Sequence, residues 1–213
     1  EQIQPLLPEL WLLPDESPMH PRRLYCHMRL IYLGLSYTGE RRSVLSLADD
    51  AFVVSSFSKY FNMTGWRLGY GVWPSDLVAH AERLQINSSS CANAATQVAA
   101  IEAMRGPQGA VDDMLEAFDG RRKIIHEELN AIPGFSCVMP KGAFYAFPNT
   151  SGTGIASRVL EDELLNEAGV ACLAGTSFGA SGEGYMRFSY ANSAENIREG
   201  LRRVRAHLEQ RGS

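Results

Sequence analysis

Val54-Ser-Ser-Phe-Ser-Lys-Tyr-Phe-Asn-Met-Thr-Gly-Trp-Arg-Leu-Gly-Tyr70 joins two compact apolar segments through a polar loop. Residues 51–56 (AFVVSS) are β-branched and apolar, the signature of a buried strand, and residues 68–73 form a second such run that stops at Pro74. The first strand delivers Ser56, Ser58 and Lys59 into the loop, and Arg67 returns at the start of the next strand. Two hydroxyls and a guanidinium around one amine suit a phosphorylated aldehyde. The amine condenses with the carbonyl, while Arg67 grips the phosphate through parallel hydrogen bonds, helped by the hydroxyls. Gly65 and Gly69 are expected to admit close backbone approach. Spacing alone leaves open a surface loop that happens to carry a Lys and an Arg.

Outward from this loop, strand and helix patterns alternate. Upstream, residues 30–35 (LIYLGL) read as a short buried strand followed by a polar turn at 38–42, and residues 1–28, with Pro at 5, 8, 14, 18 and 21, show no period and read as irregular. Downstream, helices are expected at 76–85, 93–104, 110–131, 155–168 and 194–209, and strands at 135–138, 143–147, 170–173 and 185–190. The alternation argues for an α/β fold. The longest helix pattern, with Val111, Met114, Leu115, Phe118, Ile125 and Leu129 at three- and four-residue spacing, is the natural boundary between two lobes.

Composition narrows the function. The chain has 213 residues, 45% of them hydrophobic, which is enough for a buried core. A net charge of −4 and a pI of about 5.8 favour neither nucleic acid nor an anionic membrane surface. Cys26, Cys91, Cys137 and Cys172 are widely separated, with no C-x-x-C pair and no metal-ligand spacing, so reduced thiols in a cytoplasmic protein are expected. No apolar run approaches the roughly 20 residues that span a bilayer, and the first residues do not read as a signal peptide.

The loop S-F-S-K-x-F-x-M-T-G-W-R-L-G-Y resembles the cofactor-lysine signature of class I aminotransferases, which are fold type I pyridoxal-phosphate (PLP) enzymes. The resemblance implies that Lys59 binds PLP and acts as the catalytic acid and base, that Arg67 and Ser56 hold the cofactor phosphate with Ser58 as a further candidate, and that Tyr32 bonds the ring's phenolic oxygen. Two other stretches agree. Pro140-Lys-Gly-Ala-Phe-Tyr-Ala-Phe-Pro148 is similar to a strand of the family's small domain. Phe178-Gly179 with Gly184-Tyr-Met-Arg-Phe-Ser-Tyr190 is similar to the segment whose arginine binds the substrate α-carboxylate, which implies that role for Arg187. Strand alternation sets Tyr185, Arg187 and Ser189 on one face and Met186, Phe188 and Tyr190 on the other. A lone strand arginine is more commonly solvated or salt-bridged; the fork of a guanidinium nevertheless matches a carboxylate.

The resemblance runs from about Ile31 to the C-terminus and implies a partial PLP-transferase large domain over 29–109, a linking helix over 110–132 and a small C-terminal α/β domain over 133–213, with no match in 1–28. It further implies amino acid and 2-oxo acid substrates and a homodimer. The family carries an Asp before the strand-end Tyr to keep the pyridine nitrogen protonated; Arg29 stands at that place here and would repel a pyridinium. The family's upstream Gly-rich turn, stacking aromatic and Asn have no counterpart in 1–28, so a truncated or disrupted aminotransferase is expected. Such a chain should leave a sheet edge and apolar faces uncovered, with poor solubility or dependence on a partner. β-Lyases and synthases share the lysine signature, and a non-catalytic remnant is the remaining alternative.

Overall fold

The computed structural model describes residues 26–29 (backbone only), 34–39, 43, 45 and 51–211. Two compact units divide the chain: Glu1–Gly34 with Gly39–Gln108, and Leu35–Thr38 with Gly109–Ser213.

In the first unit, β1 (Cys26–Arg29), β2 (Ala51–Ser56) and β3 (Gly69–Val72) form a sheet in the order β1-β2-β3. β1 runs parallel to β2 with Arg29 opposite Val54, and β3 runs antiparallel with Ser56 opposite Gly69. Among the described residues a strand thus lies at Cys26–Arg29, three of whose residues fall in the stretch expected to be irregular; Leu30 to Leu33 lie outside the described residues. β2 is the middle strand, and Ala51 and Val53 point into the unit, each 2% exposed. A four-residue helical turn, α1 (Phe57–Tyr60), and a 3-10 turn (Thr64–Trp66) connect β2 to β3.

Two helices follow. α2 (Ser75–Ser89) begins after Pro74, which presets the chain for entry, and stops where Ser90 takes a positive φ of 62°. It outruns its expected end by four residues because Asn87 and Ser88 bond back to the backbone carbonyls of Arg83 and Gln85. α3 (Ala94–Arg105) is capped by Asn93, whose side chain accepts from the Thr96 amide at 3.2 Å. The apolar centre of this unit is small: Phe57, Met63 and Ala100 are buried together, with Phe61, Leu68, Ala99 and Ala103 packed around them.

The second unit is a three-stranded antiparallel sheet with helices. Its elements are α4 (Gly109–Asn130), β4 (Tyr145–Ala146), α5 (Ser157–Asn166), β5 (Leu173–Ala174), β6 (Met186–Ser189) and α6 (Ala194–Arg211), and β6 lies between β4 and β5. The expected linking helix thus packs within this unit, where it meets α6. Ile125 and Leu129 of α4, Leu160 and Leu164 of α5, and Ile197, Leu201 and Val204 of α6 are all buried, at the spacing that lines one helix face. The expected strand at 135–138 does not form. Only Ser136 bridges, antiparallel, to Asn149, while Asn130 takes the next residue: its amide donates to the Cys137 carbonyl at 3.0 Å and its oxygen accepts from the Cys137 amide at 2.9 Å.

Residues Leu35–Thr38, although they sit between β1 and β2 in sequence, belong to this second unit. The Ala143 amide donates to the Leu35 carbonyl at 2.8 Å, and the Tyr37 amide donates to the Lys141 carbonyl at 3.0 Å. The hydroxyls of Tyr37 and Tyr190 both donate to the Ala143 carbonyl, at 2.5 and 2.9 Å. Ala143 holds a positive φ of 59°, and burial pushes both tyrosine hydroxyls above their ordinary pKa.

Candidate functional site

The site is built first by the ending of β2. Ser56 keeps an extended backbone and caps α1: its Oγ accepts from the Ser58 amide at 3.0 Å. The same Oγ donates to Ser58 Oγ at 2.8 Å and lies 3.3 Å from the Leu68 carbonyl. The Ser56 proton is therefore committed inside the loop, whereas the Ser58 hydroxyl accepts and keeps its own proton available among the described residues. Lys59, half-buried, follows directly on this turn.

Beneath it, Phe57 anchors the turn in the core, 4% exposed, with ring contacts to Phe61 at 5.4 Å and Tyr70 at 5.9 Å. The Phe57 amide donates to the Leu68 carbonyl and the Met63 amide to the Phe57 carbonyl, which closes the loop on itself. Thr64 Oγ1 donates to the Ser58 carbonyl at 2.8 Å, a further tie across the loop.

Arg67 is held in the left-handed region (φ 53°, ψ 48°), which costs a non-glycine residue about 1–2 kcal/mol. Its exposed guanidinium donates once, to the Thr64 carbonyl at 3.3 Å, and its other donors have no partner among the described residues. Strain of this kind at a candidate ligand is the pattern of a functional constraint. Gly69 opposite Ser56 is required, since a Cβ there would meet the Ser55 carbonyl at 2.7 Å. Gly65, expected to serve a close approach too, has open space around it. Ser58, Lys59 and Arg67 together thus offer an amine, a hydroxyl donor and a planar cation from one tightly closed loop. That donor set is chemically suited to a phosphorylated aldehyde such as PLP, since a guanidinium and a hydroxyl match a phosphate and an amine matches an aldehyde. Tyr32, the candidate for the ring oxygen, lies outside the described residues.

Arg187 is in the other compact unit, on β6. The expected alternation is present: Met186, Phe188 and Tyr190 are buried, while Arg187 is half-buried and Ser189 exposed. Among the described residues no carboxylate pairs with Arg187. Its guanidinium carbon lies instead 4.5 Å from the ring centroids of both Tyr145 and Phe178. Phe147 stacks on Tyr185 at 5.6 Å and meets Phe178 edge-on at 6.1 Å, which extends the aromatic packing behind Phe178. The sequence reading placed Tyr145 and Phe178 in the right motifs but assigned them no contact with Arg187; ring packing across three loops leaves no local periodicity.

Nothing else in the second unit gathers comparable chemistry. Cys172 is a half-buried thiol pushed up to about 12 by desolvation and by Glu161, which makes it a poor nucleophile. Among the described residues no helix is long and apolar enough to cross a membrane.

The α/β architecture is that of the fold type I PLP proteins, and solved structures similar to this chain include aminotransferases of that fold. The chain belongs to the aminotransferase class I and II family, whose model it matches over residues 29–204. It is 42% identical to an aspartate aminotransferase of Pyrococcus horikoshii over 163 residues, 76% of this chain and 42% of that protein. The crystal structure of an aromatic aminotransferase from Pyrococcus horikoshii superposes with a TM-score of 0.84 at 36% identity, covering 89% of this chain and 52% of that one. The aspartate aminotransferase of Rhizobium meliloti gives 0.81 at 31% identity, over 86% and 49%. The chain therefore spans about half the length of the relatives it matches. Members of this family depend on PLP.

Proposed function

We propose that this chain is the lysine- and carboxylate-binding portion of a PLP-dependent aminotransferase, acting on an amino acid and a 2-oxo acid. The observation that carries the reading is one hydrogen-bonded loop that bears Ser58, Lys59 and Arg67, with Arg67 kept in a strained backbone conformation.

When bound, PLP supplies an electron-withdrawing ring that makes the substrate Cα acidic. Lys59 would hold the cofactor through its amine and would serve as the general acid and base that moves the substrate Cα proton. Arg67 would neutralise the phosphate, with the Ser58 hydroxyl as its donor and Ser56, whose proton goes to Ser58, holding that hydroxyl in place, and Tyr32 would bond the ring oxygen. Arg187 would take the substrate α-carboxylate in its fork. Arg29 ends β1 beside Val54, two residue levels before Ser56, where the family places an acidic partner for the ring nitrogen. A cation there favours the neutral nitrogen and slows proton removal. Residues 29–109 form the partial large domain, 110–132 the linking helix and 133–213 the small domain. The active form is a cytosolic homodimer, by analogy with the family.

The test is reductive trapping. The chain is mixed with PLP, reduced with borohydride and digested, and the modified lysine is located by mass spectrometry. There are only three lysines, Lys59, Lys123 and Lys141. Stoichiometric label on Lys59 alone is the expected outcome; label spread evenly over all three, or none, refutes cofactor binding by this chain.

A further inference from the structure

Arg187 has the features of an anion receptor that is held ready without being neutralised. It sits on the middle strand of the second unit's sheet, and the strand's other face is locked into the core by Met186 and Phe188. A half-buried arginine commonly pairs with a carboxylate or a carbonyl. Here, among the described residues, neither is supplied, and two rings take their place. The two rings come from different parts of the unit: Tyr145 from β4, opposite Ser189 in the register, and Phe178 from the 3-10 turn Gly175–Phe178 that follows β5.

A ring face attracts the cation but leaves its in-plane N–H groups unused. A carboxylate counter-ion would restrain the guanidinium as well, yet it would occupy those same donors and compete with a substrate. Aromatic contact restrains the plane without competing. We propose that Tyr145 and Phe178 are positioning residues that hold the Arg187 guanidinium in plane, with its N–H edge free for the carboxylate of an amino or 2-oxo acid. The proposal rests on the reading of Arg187 as the carboxylate anchor. It goes beyond that reading by assigning the pre-orientation to two aromatic side chains rather than to a hydrogen-bonded partner.

Both rings are suited to a test. Phe178 is 54% exposed, so its truncation leaves little cavity, and Tyr145 is only half-buried. In the 15N-labelled chain with PLP present, the Arg187 Nε–Hε signal is assigned by its disappearance in Arg187→Gln. 2-Oxoglutarate is then titrated into the native chain and into Phe178→Leu, Tyr145→Leu and Tyr145→Phe. Phe178→Leu and Tyr145→Leu are expected to move the signal out of the ring-current region and to weaken 2-oxoglutarate about fivefold each, with unchanged unfolding midpoints. Tyr145→Phe, which keeps the ring, should retain both the signal position and the affinity. Native affinity in both leucine variants, with binding lost in Arg187→Gln, overturns the positioning role and leaves the carboxylate anchor standing. Weakened binding with an unmoved signal also overturns the positioning role. Binding to the native chain no tighter than to Arg187→Gln overturns the anchor and the proposal together.

Discussion

In α6 the apolar residues Ile197, Leu201 and Val204 are all buried, whereas in α3 Val98, Ile101 and Met104 are 67%, 47% and 57% exposed. Both helices belong to α/β units with a three-stranded sheet, so element type does not account for the difference. What differs is the number of neighbours that cover them. The second unit packs α4, α5 and α6 together with its sheet into one continuous core, and its largest buried side chains (Tyr190, Ile125, Leu129 and Leu160 among them) are almost fully enclosed. The first unit encloses a small cluster around Phe57, while Leu84 and Ile86 of α2 and Tyr70 and Val72 of β3 face outward. Every residue of β3 is exposed. The loop with the most specific chemistry thus lies in the less covered unit, and its geometry is kept by local ties (Ser56 to Ser58, Thr64 to the Ser58 carbonyl) rather than by a deep core.

The largest expected contrast is in core truncation. Leu160→Ala, at a fully buried site, should cost about 3 kcal/mol, while Val98→Ala should stay within about 0.5 kcal/mol. Chemical denaturation of the two variants measures both, and equal losses would break the comparison. Arg67→Gly separates function from stability inside the first unit. Relief of the left-handed strain should leave stability unchanged or raise it by about 1 kcal/mol, while borohydride trapping of PLP on Lys59 falls about tenfold. A loss of stability instead would make Arg67 a structural residue. Smaller still is an acid dependence confined to the second unit. Burial works to raise the Glu163 carboxyl, but hydrogen bonds and charge from His207 and Arg211 outweigh it and hold the group below its ordinary 4.5. A carboxyl lowered by folding stabilises fully above the ordinary value, and that contribution is lost as pH falls through the lowered one. Glu163→Gln should flatten stability against pH below about 4.5 without changing its slope near neutrality. The smallest effect is on association: Leu84→Glu, at a 70% exposed position, should reduce self-association in sedimentation while the unfolding midpoint stays put.

The motifs were readable because their information is local. The lysine loop follows from a β-branched strand, a serine cap and a tight return, and all of these show in consecutive residues. The face that carries Arg187 follows from a period of two, and the long helix of α4 follows from its apolar spacing. The helix ends came within a few residues of expectation except at α2, where side chains bonding back to the backbone prolonged it. The strand expected at 135–138 shrank to the single bridge from Ser136 to Asn149, because Asn130, five residues upstream of its start, takes both backbone groups of Cys137. Nothing in the 135–138 pattern announces that pairing.

By itself the sequence determined the α/β class, the cofactor-lysine loop and the arginine facing out of β6, since backbone preference and side-chain period depend on neighbours along the chain. Only the tertiary structure decided that Leu35–Thr38 would join the second unit, that Arg67 would be held in a left-handed conformation, and that two rings from separate segments would meet Arg187. These depend on which distant backbone groups need hydrogen-bond partners and which apolar surfaces are left to cover, and both are settled by packing after the local elements have formed.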